Sequence, residues 1–98
     1  MIHLDDVWLN LVRACIKKYM PHDCQIWVFG SRVVGNQKRF SDLDIALVYD
    51  KPLSLDALLA LEEELDESAL PIKVDVIEFY KASPEFQQII QQNYAALN

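Results

Sequence analysis

The central segment of this chain reads Gly30-Ser31-Arg32-Val33-Val34-Gly35-Asn36-Gln37-Lys38-Arg39-Phe40-Ser41-Asp42-Leu43-Asp44-Ile45-Ala46-Leu47. An apolar run, Gln25 to Phe29, precedes this segment and ends abruptly at Gly30. After Ser31, ten residues intervene before Asp42 and Asp44, which lead into a second apolar run. The pattern predicts a strand, a turn and a second strand, and the rest of the chain is arranged around them.

The residue types in this segment suit a phosphate and a cation. Gly30 and Ser31, placed where a strand ends and a short helix can begin, offer backbone N–H groups and a hydroxyl to a phosphate. Arg32 adds a planar donor that is always charged. Asp42 and Asp44, separated by one position, face the same side of a strand about 7 Å apart, so their carboxylates can share cations. Hard oxygen ligands of this kind favour Mg²⁺ or Mn²⁺.

Each half of the pattern also has a plainer interpretation. Most Gly-Ser pairs only form a turn, and two aspartates at a strand end can simply face the solvent. Aspartate is depleted in strands, however, and two like charges on one face repel each other. The aspartate pair is therefore unfavourable without a cation, and the two halves together favour nucleotide chemistry.

The pattern Gly-Ser, ten residues, Asp-x-Asp resembles the signature of the polymerase-beta-type nucleotidyltransferases. The fuller pattern, Phe29-Gly30-Ser31-Arg32, then Gly35, then Ser41-Asp42-Leu43-Asp44-Ile45-Ala46-Leu47, resembles the minimal nucleotidyltransferase (MNT) branch of that superfamily. The resemblance covers nearly the whole chain and is weakest after Tyr80, where the tail lacks the glycine and the hydrophobicity common in the family. It implies an α+β fold with a small mixed sheet.

The resemblance also implies a reaction and its residues. Members of the family move AMP from ATP to a hydroxyl acceptor, with release of pyrophosphate and with two Mg²⁺ ions as cofactors. The resemblance makes three aspartates the catalytic and metal-binding carboxylates: Asp42, Asp44 and Asp75. It assigns the β- and γ-phosphates to three residues of the turn: Gly30, Ser31 and Arg32.

Asp75 has a second interpretation that needs no cation. It is a lone charge in an otherwise apolar predicted strand, Ile72 to Ile77, and a buried carboxylate needs a partner. Lys73, one alternation away on the same face, could be that partner. The residues alone leave both roles open, and the resemblance favours the metal ligand.

The remaining elements follow from periodicity and capping signals. The predicted helices are Leu4 to Tyr19, a single turn from Ser31 to Val34 capped by Ser31, a helix from the Ser54 cap to about Glu67, and one that starts at Ser83-Pro84-Glu85 and packs through Phe86, Ile89, Ile90, Tyr94 and Leu97. The predicted strands are Gln25 to Phe29, Asp42 to Tyr49 and Ile72 to Ile77. The order α-β-α-β-α-β-α predicts one α+β domain, residues 1–98, with a mixed three-stranded sheet covered by helices.

Composition narrows the function classes. A chain of 98 residues with 52% apolar content has a core but no room for a separate acceptor-recognition domain. A net charge of −6 and the lack of a long basic stripe disfavour a nucleic-acid acceptor. No signal peptide or long apolar run is present, which predicts a cytoplasmic protein with no membrane contact, two free thiols (Cys15 and Cys24) and two solvent-exposed histidines (His3 and His22).

The acceptor stays open at this level. Resemblance to the MNT branch implies an antitoxin that attaches AMP to a hydroxyl, typically of a tyrosine, on a helical HEPN-domain partner. One alternative is transfer to a small hydroxyl compound such as an aminoglycoside, and another is a non-catalytic module that masks its partner. The acidic helix, 54–67, is either an ordinary solvated surface or a docking surface for a basic partner.

Overall fold

The computed structural model describes residues 2–97, so Met1 and Asn98, the ends of the predicted domain, lie outside the described residues. Helices and strands alternate along the chain in the order α1 (Asp6–Tyr19), β1 (Gln25–Phe29), α2 (Ser31–Val34), β2 (Leu43–Val48), α3 (Leu55–Glu67), β3 (Val74–Glu78), a 3₁₀ turn (Phe79–Lys81), α4 (Pro84–Gln92) and β4 (Tyr94–Ala96). The predicted α+β class is confirmed. No helix in residues 2–97 is long and apolar enough to cross a membrane.

The sheet is mixed, as predicted, but it has four strands in the order β3-β2-β1-β4 rather than three. β1 is antiparallel to both β2 and β4, and β2 is parallel to β3. The expectation that Tyr94 and Leu97 continue the last helix is wrong, because that helix ends at Gln92 and the chain returns along β1. The backbone N–H of Leu97 donates to the Ile26 carbonyl over 2.8 Å, so the added strand pairs an edge that would otherwise be open.

The two faces of the sheet have different covers. Leu43, Ile45 and Leu47 of β2 lie in the main core with side chains of α1 and α3. Ala46 and Val48 lie on the other face, in a smaller cluster with residues that include those of the 3₁₀ turn and α4. Strand alternation places Asp44 on this second face, where the nine residues of α4 leave part of the sheet open.

The capping signals were mostly correct. The side chains of Ser54 and Ser83 accept hydrogen bonds from backbone N–H groups in the first turns of α3 and α4. At α1 the Asp5 carboxylate captures the Val7 N–H, so the helix begins at Asp6 instead of Leu4. At α2 the N-cap is Gly30 and not Ser31, and no side chain among residues 2–97 caps that helix.

Glu64 joins α1 to α3. Its carboxylate accepts hydrogen bonds from the Lys18 ammonium and the Tyr19 hydroxyl, both at 2.7 Å, and from the Cys15 thiol at 3.1 Å. These hydrogen bonds lower the pKa of Glu64 to about 2. One acid of the helix 54–67 therefore has a structural role within the fold. Cys15 and Cys24 form no disulfide, as predicted, and both are buried.

Candidate active site

The turn after β1 is the first component of the site. Gly30 adopts φ 80° and ψ −156°, a conformation essentially restricted to glycine. This conformation lets α2 begin at once, and the N–H groups of Val33 and Val34 donate to the Gly30 carbonyl at 3.0 and 3.1 Å. Gly35 ends the helix in the left-handed conformation at φ 98°. Ser31 is thereby held, half-buried, at the first position of α2.

Three aspartates form the second component. Asp44 of β2 and Asp75 of β3 are register partners in parallel strands, so both side chains project from the same face. Asp42 precedes β2 and is exposed. Burial, followed by the charges of Asp75 and Asp42, raises the pKa of Asp44. The sheet therefore brings three negative charges close enough to oppose one another.

Gly30 connects the turn to these carboxylates. A Cβ atom placed on Gly30 would overlap Oδ2 of Asp44. Phe29, the preceding residue, is the register partner of Asp44 in the antiparallel pair. The backbone of the turn thus lies directly against the carboxylate, and the two halves of the sequence pattern form one site.

The donor chemistry of this site fits a hard divalent cation. All three side chains offer oxygen ligands, and a cation would offset the burial and the carboxylate repulsion that together raise the pKa of Asp44. Asp75 already contacts a positive charge, because the Lys73 ammonium lies 3.3 Å from its Oδ1, as the second interpretation of Asp75 anticipated. The Lys73 side chain is 67% exposed and the Asp75 side chain 43% exposed, so water screens this ion pair and it is weak. In the part of the chain that the structure describes, no three His, Cys, Asp or Glu side chains are grouped closely enough to hold a metal ion.

Arg32 is placed differently from the sequence-based expectation. Its side chain is buried, with only 4% exposed, and it donates four hydrogen bonds to backbone carbonyls. Nε and Nη2 donate to Ser41 at 3.1 and 3.0 Å, Nη2 also donates to Arg39 at 3.2 Å, and Nη1 donates to His3 at 2.8 Å. The structure therefore does not support Arg32 as a ligand of the β- and γ-phosphates, because its guanidinium is already occupied.

These hydrogen bonds give Arg32 a structural role. The Arg39 and Ser41 carbonyls belong to the loop between α2 and β2, and Ser41 directly precedes Asp42. Arg32 thus fastens that loop to the short helix of the turn. The bond to the His3 carbonyl also fixes the N-terminal segment, which leaves His3 half-buried instead of solvent-exposed as expected. His22 is exposed, as predicted.

An open cavity of about 530 Å³ lies beside the carboxylates. Its lining includes Gly30, Asp44 and Asp75, and one face of α4 forms a wall. The helical spacing predicted that the apolar residues of the last helix lie in the core, so this cavity was not expected from the sequence. Phe86 and Ile89 are in fact 38% and 59% exposed. No sequence signal set these two residues apart, because Phe86, Ile89 and Ile90 follow the i, i+3, i+4 spacing of a single buried stripe.

The structure thus has a glycine turn that lies against a pair of carboxylates on neighbouring strands. This is the arrangement expected from the resemblance to nucleotidyltransferases. The model of the family described as "Polymerase beta, Nucleotidyltransferase" matches residues 15–97, and the chain belongs to this family of nucleotidyltransferases. The predicted nucleotidyltransferase fold is thereby confirmed.

Individual proteins show the same likeness. The probable protein adenylyltransferase MntA of Haemophilus influenzae is 37% identical over 89 residues, which cover 91% of this chain and 77% of that protein. A crystal structure of a toxin–antitoxin with AMP-PNP matches at TM-score 0.76 and 30% identity, over 92% of this chain and 72% of that one. A complex of a tri-AMPylated Shewanella oneidensis HEPN toxin with an MNT antitoxin shares the fold at TM-score 0.72 and 24% identity, over 97% and 72% of the two chains. These likenesses confirm the resemblance to the MNT branch.

Proposed function

We propose that this chain, as a single-domain enzyme, transfers AMP from ATP to a hydroxyl group of a HEPN-domain toxin and thereby acts as its antitoxin. The contact between Gly30 and the Asp44 carboxylate supports the proposal, because backbone suited to a phosphate lies there beside oxygen suited to a cation. The similarity to MntA and to a chain of a toxin–antitoxin structure supports a protein as the acceptor.

The residues of the site have two proposed roles, phosphate binding and metal binding. The Gly30 N–H and the Ser31 hydroxyl would bind the β- and γ-phosphates of ATP. Asp42, Asp44 and Asp75 would hold two Mg²⁺ ions, or Mn²⁺ in their place. Bound ions of this kind neutralise charge on the triphosphate and lower the pKa of an attacking hydroxyl.

The bond changes are those of a single displacement. The acceptor hydroxyl gives up its proton to water, and its oxygen forms a bond to the α-phosphorus while the bond from that phosphorus to pyrophosphate breaks. The open part of the sheet face leaves Asp44 and Asp75 half-buried, which gives an acceptor on another protein a path to them. No covalent intermediate on this chain is required.

The test uses α-labelled ATP, Mg²⁺ and lysate of the source cells, with the purified chain and two variants. Asp44→Asn removes a site carboxylate, and Asp56→Asn is the matched control, since Asp56 is an exposed acid of α3. We expect label on one protein with the unmodified chain and with Asp56→Asn. We expect at least about 100-fold less label with Asp44→Asn, the scale seen when a group that stabilises developing charge is lost.

The outcomes separate the alternatives. Undiminished labelling by Asp44→Asn would refute the assignment of the site. Label on a small compound would keep the chemistry and replace the protein acceptor by a small hydroxyl compound. Metal-dependent ATP binding with no labelled product would favour the masking module.

A further inference from the structure

The cavity beside the carboxylates extends across the sheet. Asp75, Asp44, Phe29 and Tyr94 are register partners in one row across all four strands, so their side chains share one face. Asn93, which precedes Tyr94 in the chain, lies two strand spacings from Asp44, about 10 Å at the usual separation. The cavity therefore leads from the carboxylates towards the end of α4.

One face of α4 lines this cavity. Phe86, Ile89, Gln92 and Asn93 contribute to its lining and follow the helical spacing of three to four residues. Ile90, on another face of the same helix, is fully buried in the core. Ile89 is 59% exposed although it is as apolar as Ile90, so the described residues leave part of this wall uncovered.

The character of this wall matches a planar heteroaromatic ring. Phe86 meets Phe29 edge to face at 5.7 Å between ring centres, which makes an aromatic and aliphatic surface together with Ile89. Val34, 60% exposed, lines the same cavity from the side of α2. The volume of about 530 Å³ lies within the range of small-molecule sites.

Two amide side chains at the end of the wall can form hydrogen bonds with the polar edge of a base. Gln92 and Asn93 are exposed at the C-terminal end of α4 and line the cavity. An amide presents one donor and one acceptor, which matches the donor and acceptor of an adenine edge. On the edge that carries N7, guanine presents two acceptors, so an amide that contacts this edge binds adenine, but not guanine, bidentately.

We infer that the α4 wall, formed by Phe86, Ile89, Gln92 and Asn93, is the nucleobase subsite and that it selects adenine. This inference rests on the proposed function, which places the triphosphate at Gly30 and Ser31 and the α-phosphorus near the carboxylates. The nucleoside then crosses the sheet face towards β4. Its base packs against Phe86 and Ile89, and its polar edge meets the two amides.

The test compares two probes, Mg-ATP and Mg-tripolyphosphate, by isothermal titration calorimetry. Tripolyphosphate has the phosphates of ATP but no base. The variant Ile89→Ser should weaken ATP binding roughly 5- to 150-fold, the range that stacking contributes per base, and leave tripolyphosphate binding unchanged. Leu59→Ser is the control, because Leu59 is 54% exposed on α3, away from the cavity.

Selectivity is measured with the amide variants. Gln92→Ala or Asn93→Ala should reduce the ratio of ATP affinity to GTP affinity, by about 5- to 150-fold if both hydrogen bonds of a bidentate pair are lost. Equal loss of ATP and tripolyphosphate binding in Ile89→Ser, or unchanged ATP binding, would overturn the inference. An Ile89→Ser protein that binds ATP normally but no longer labels its acceptor would show that the wall contacts the acceptor instead.

These results also distinguish the inference from the proposal on which it rests. If the unmodified chain binds neither Mg-ATP nor Mg-tripolyphosphate, the proposed function fails. If it binds both and the α4 variants behave like Leu59→Ser, only the nucleobase subsite is refuted.

Discussion

The substitution Arg32→Met separates a structural role of this arginine from a role in phosphate binding. It keeps a long apolar stem but removes four hydrogen bonds to the backbone carbonyls of His3, Arg39 and Ser41. A hydrogen bond to a charged group contributes about 1.5–3 kcal/mol, and a buried group left without its partner costs about 1–3 kcal/mol. Because the loop between α2 and β2 is largely exposed, water can replace part of this loss. We therefore expect a destabilisation of about 3 kcal/mol, the upper value for one such hydrogen bond and well below four times that value.

The assay is thermal denaturation followed by circular dichroism. For a domain of this size, 1 kcal/mol shifts the melting temperature by about 4–8 °C, so Arg32→Met should melt roughly 12–24 °C lower. Arg39→Met is the matched control, because it removes one positive charge from the same segment. The Arg39 guanidinium is exposed and lies 5.4 Å from the centre of the Phe40 ring. Such an exposed contact contributes only about 0.5–1 kcal/mol.

Two results would refute this reasoning. One is an Arg32→Met protein as stable as Arg39→Met. The other is an Arg32→Met protein of normal stability that binds Mg-ATP weakly, since that combination is expected of a phosphate ligand. Arg32→Lys should be intermediate in stability, because a single ammonium group cannot match the planar fork that meets three carbonyls.

Two further predictions concern the turn and the link between helices. Gly30→Ala should cost about 1–3 kcal/mol for its backbone conformation and should also displace the Asp44 carboxylate, with loss of Mg-dependent ATP binding. Gly35→Ala is the control, because an alanine there is also strained but its Cβ would meet His3, at 3.4 Å, and no site residue. Its ATP binding, measured by calorimetry, should therefore persist. An equal loss of ATP affinity in both variants would contradict the prediction. The third substitution is Glu64→Gln. The pKa of Glu64 is about 2 in the folded chain, against an ordinary value of 4.5. The hydrogen bonds to its carboxylate therefore stabilise the fold fully above pH 4.5, and this contribution is lost as the pH falls towards 2. The melting temperature of Glu64→Gln should be lower than that of the unmodified chain at neutral pH, and the gap should close over this pH interval; a gap that stays constant would be contrary evidence.

Local signals in the sequence predicted many of the elements. The bounds of β1, Gln25–Phe29, and of α2, Ser31–Val34, are those expected. The caps at Ser54 and Ser83 were also correct, because a hydroxyl that captures an N–H group two or three residues onward depends on adjacent chain alone. The spacing from the Gly-Ser pair to the aspartates indicated a combined site, and the register of β1 and β2 brings Gly30 against Asp44.

The tertiary structure decided what depends on distant parts of the chain. Tyr94–Ala96 forms a strand because the edge of β1 offers unpaired backbone groups, and no local pattern reveals an open edge. Arg32 is buried because three carbonyls converge on it, although His3 lies 29 positions away in sequence. The uncovered wall of α4 likewise follows from a nine-residue helix that crosses only part of a sheet face.

The sequence by itself therefore determined the chemical groups of the candidate site, since residue types and their spacing specify a glycine turn and paired carboxylates. Only the tertiary structure decided which charged group is free to act and which is occupied within the fold. The physical reason is that burying a charged side chain is costly unless it forms hydrogen bonds or ion pairs, and the fold decides which partners are within reach. At Arg32 those partners are carbonyls of the chain itself, whereas Asp44 and Asp75 stay half-buried on a face that α4 does not cover.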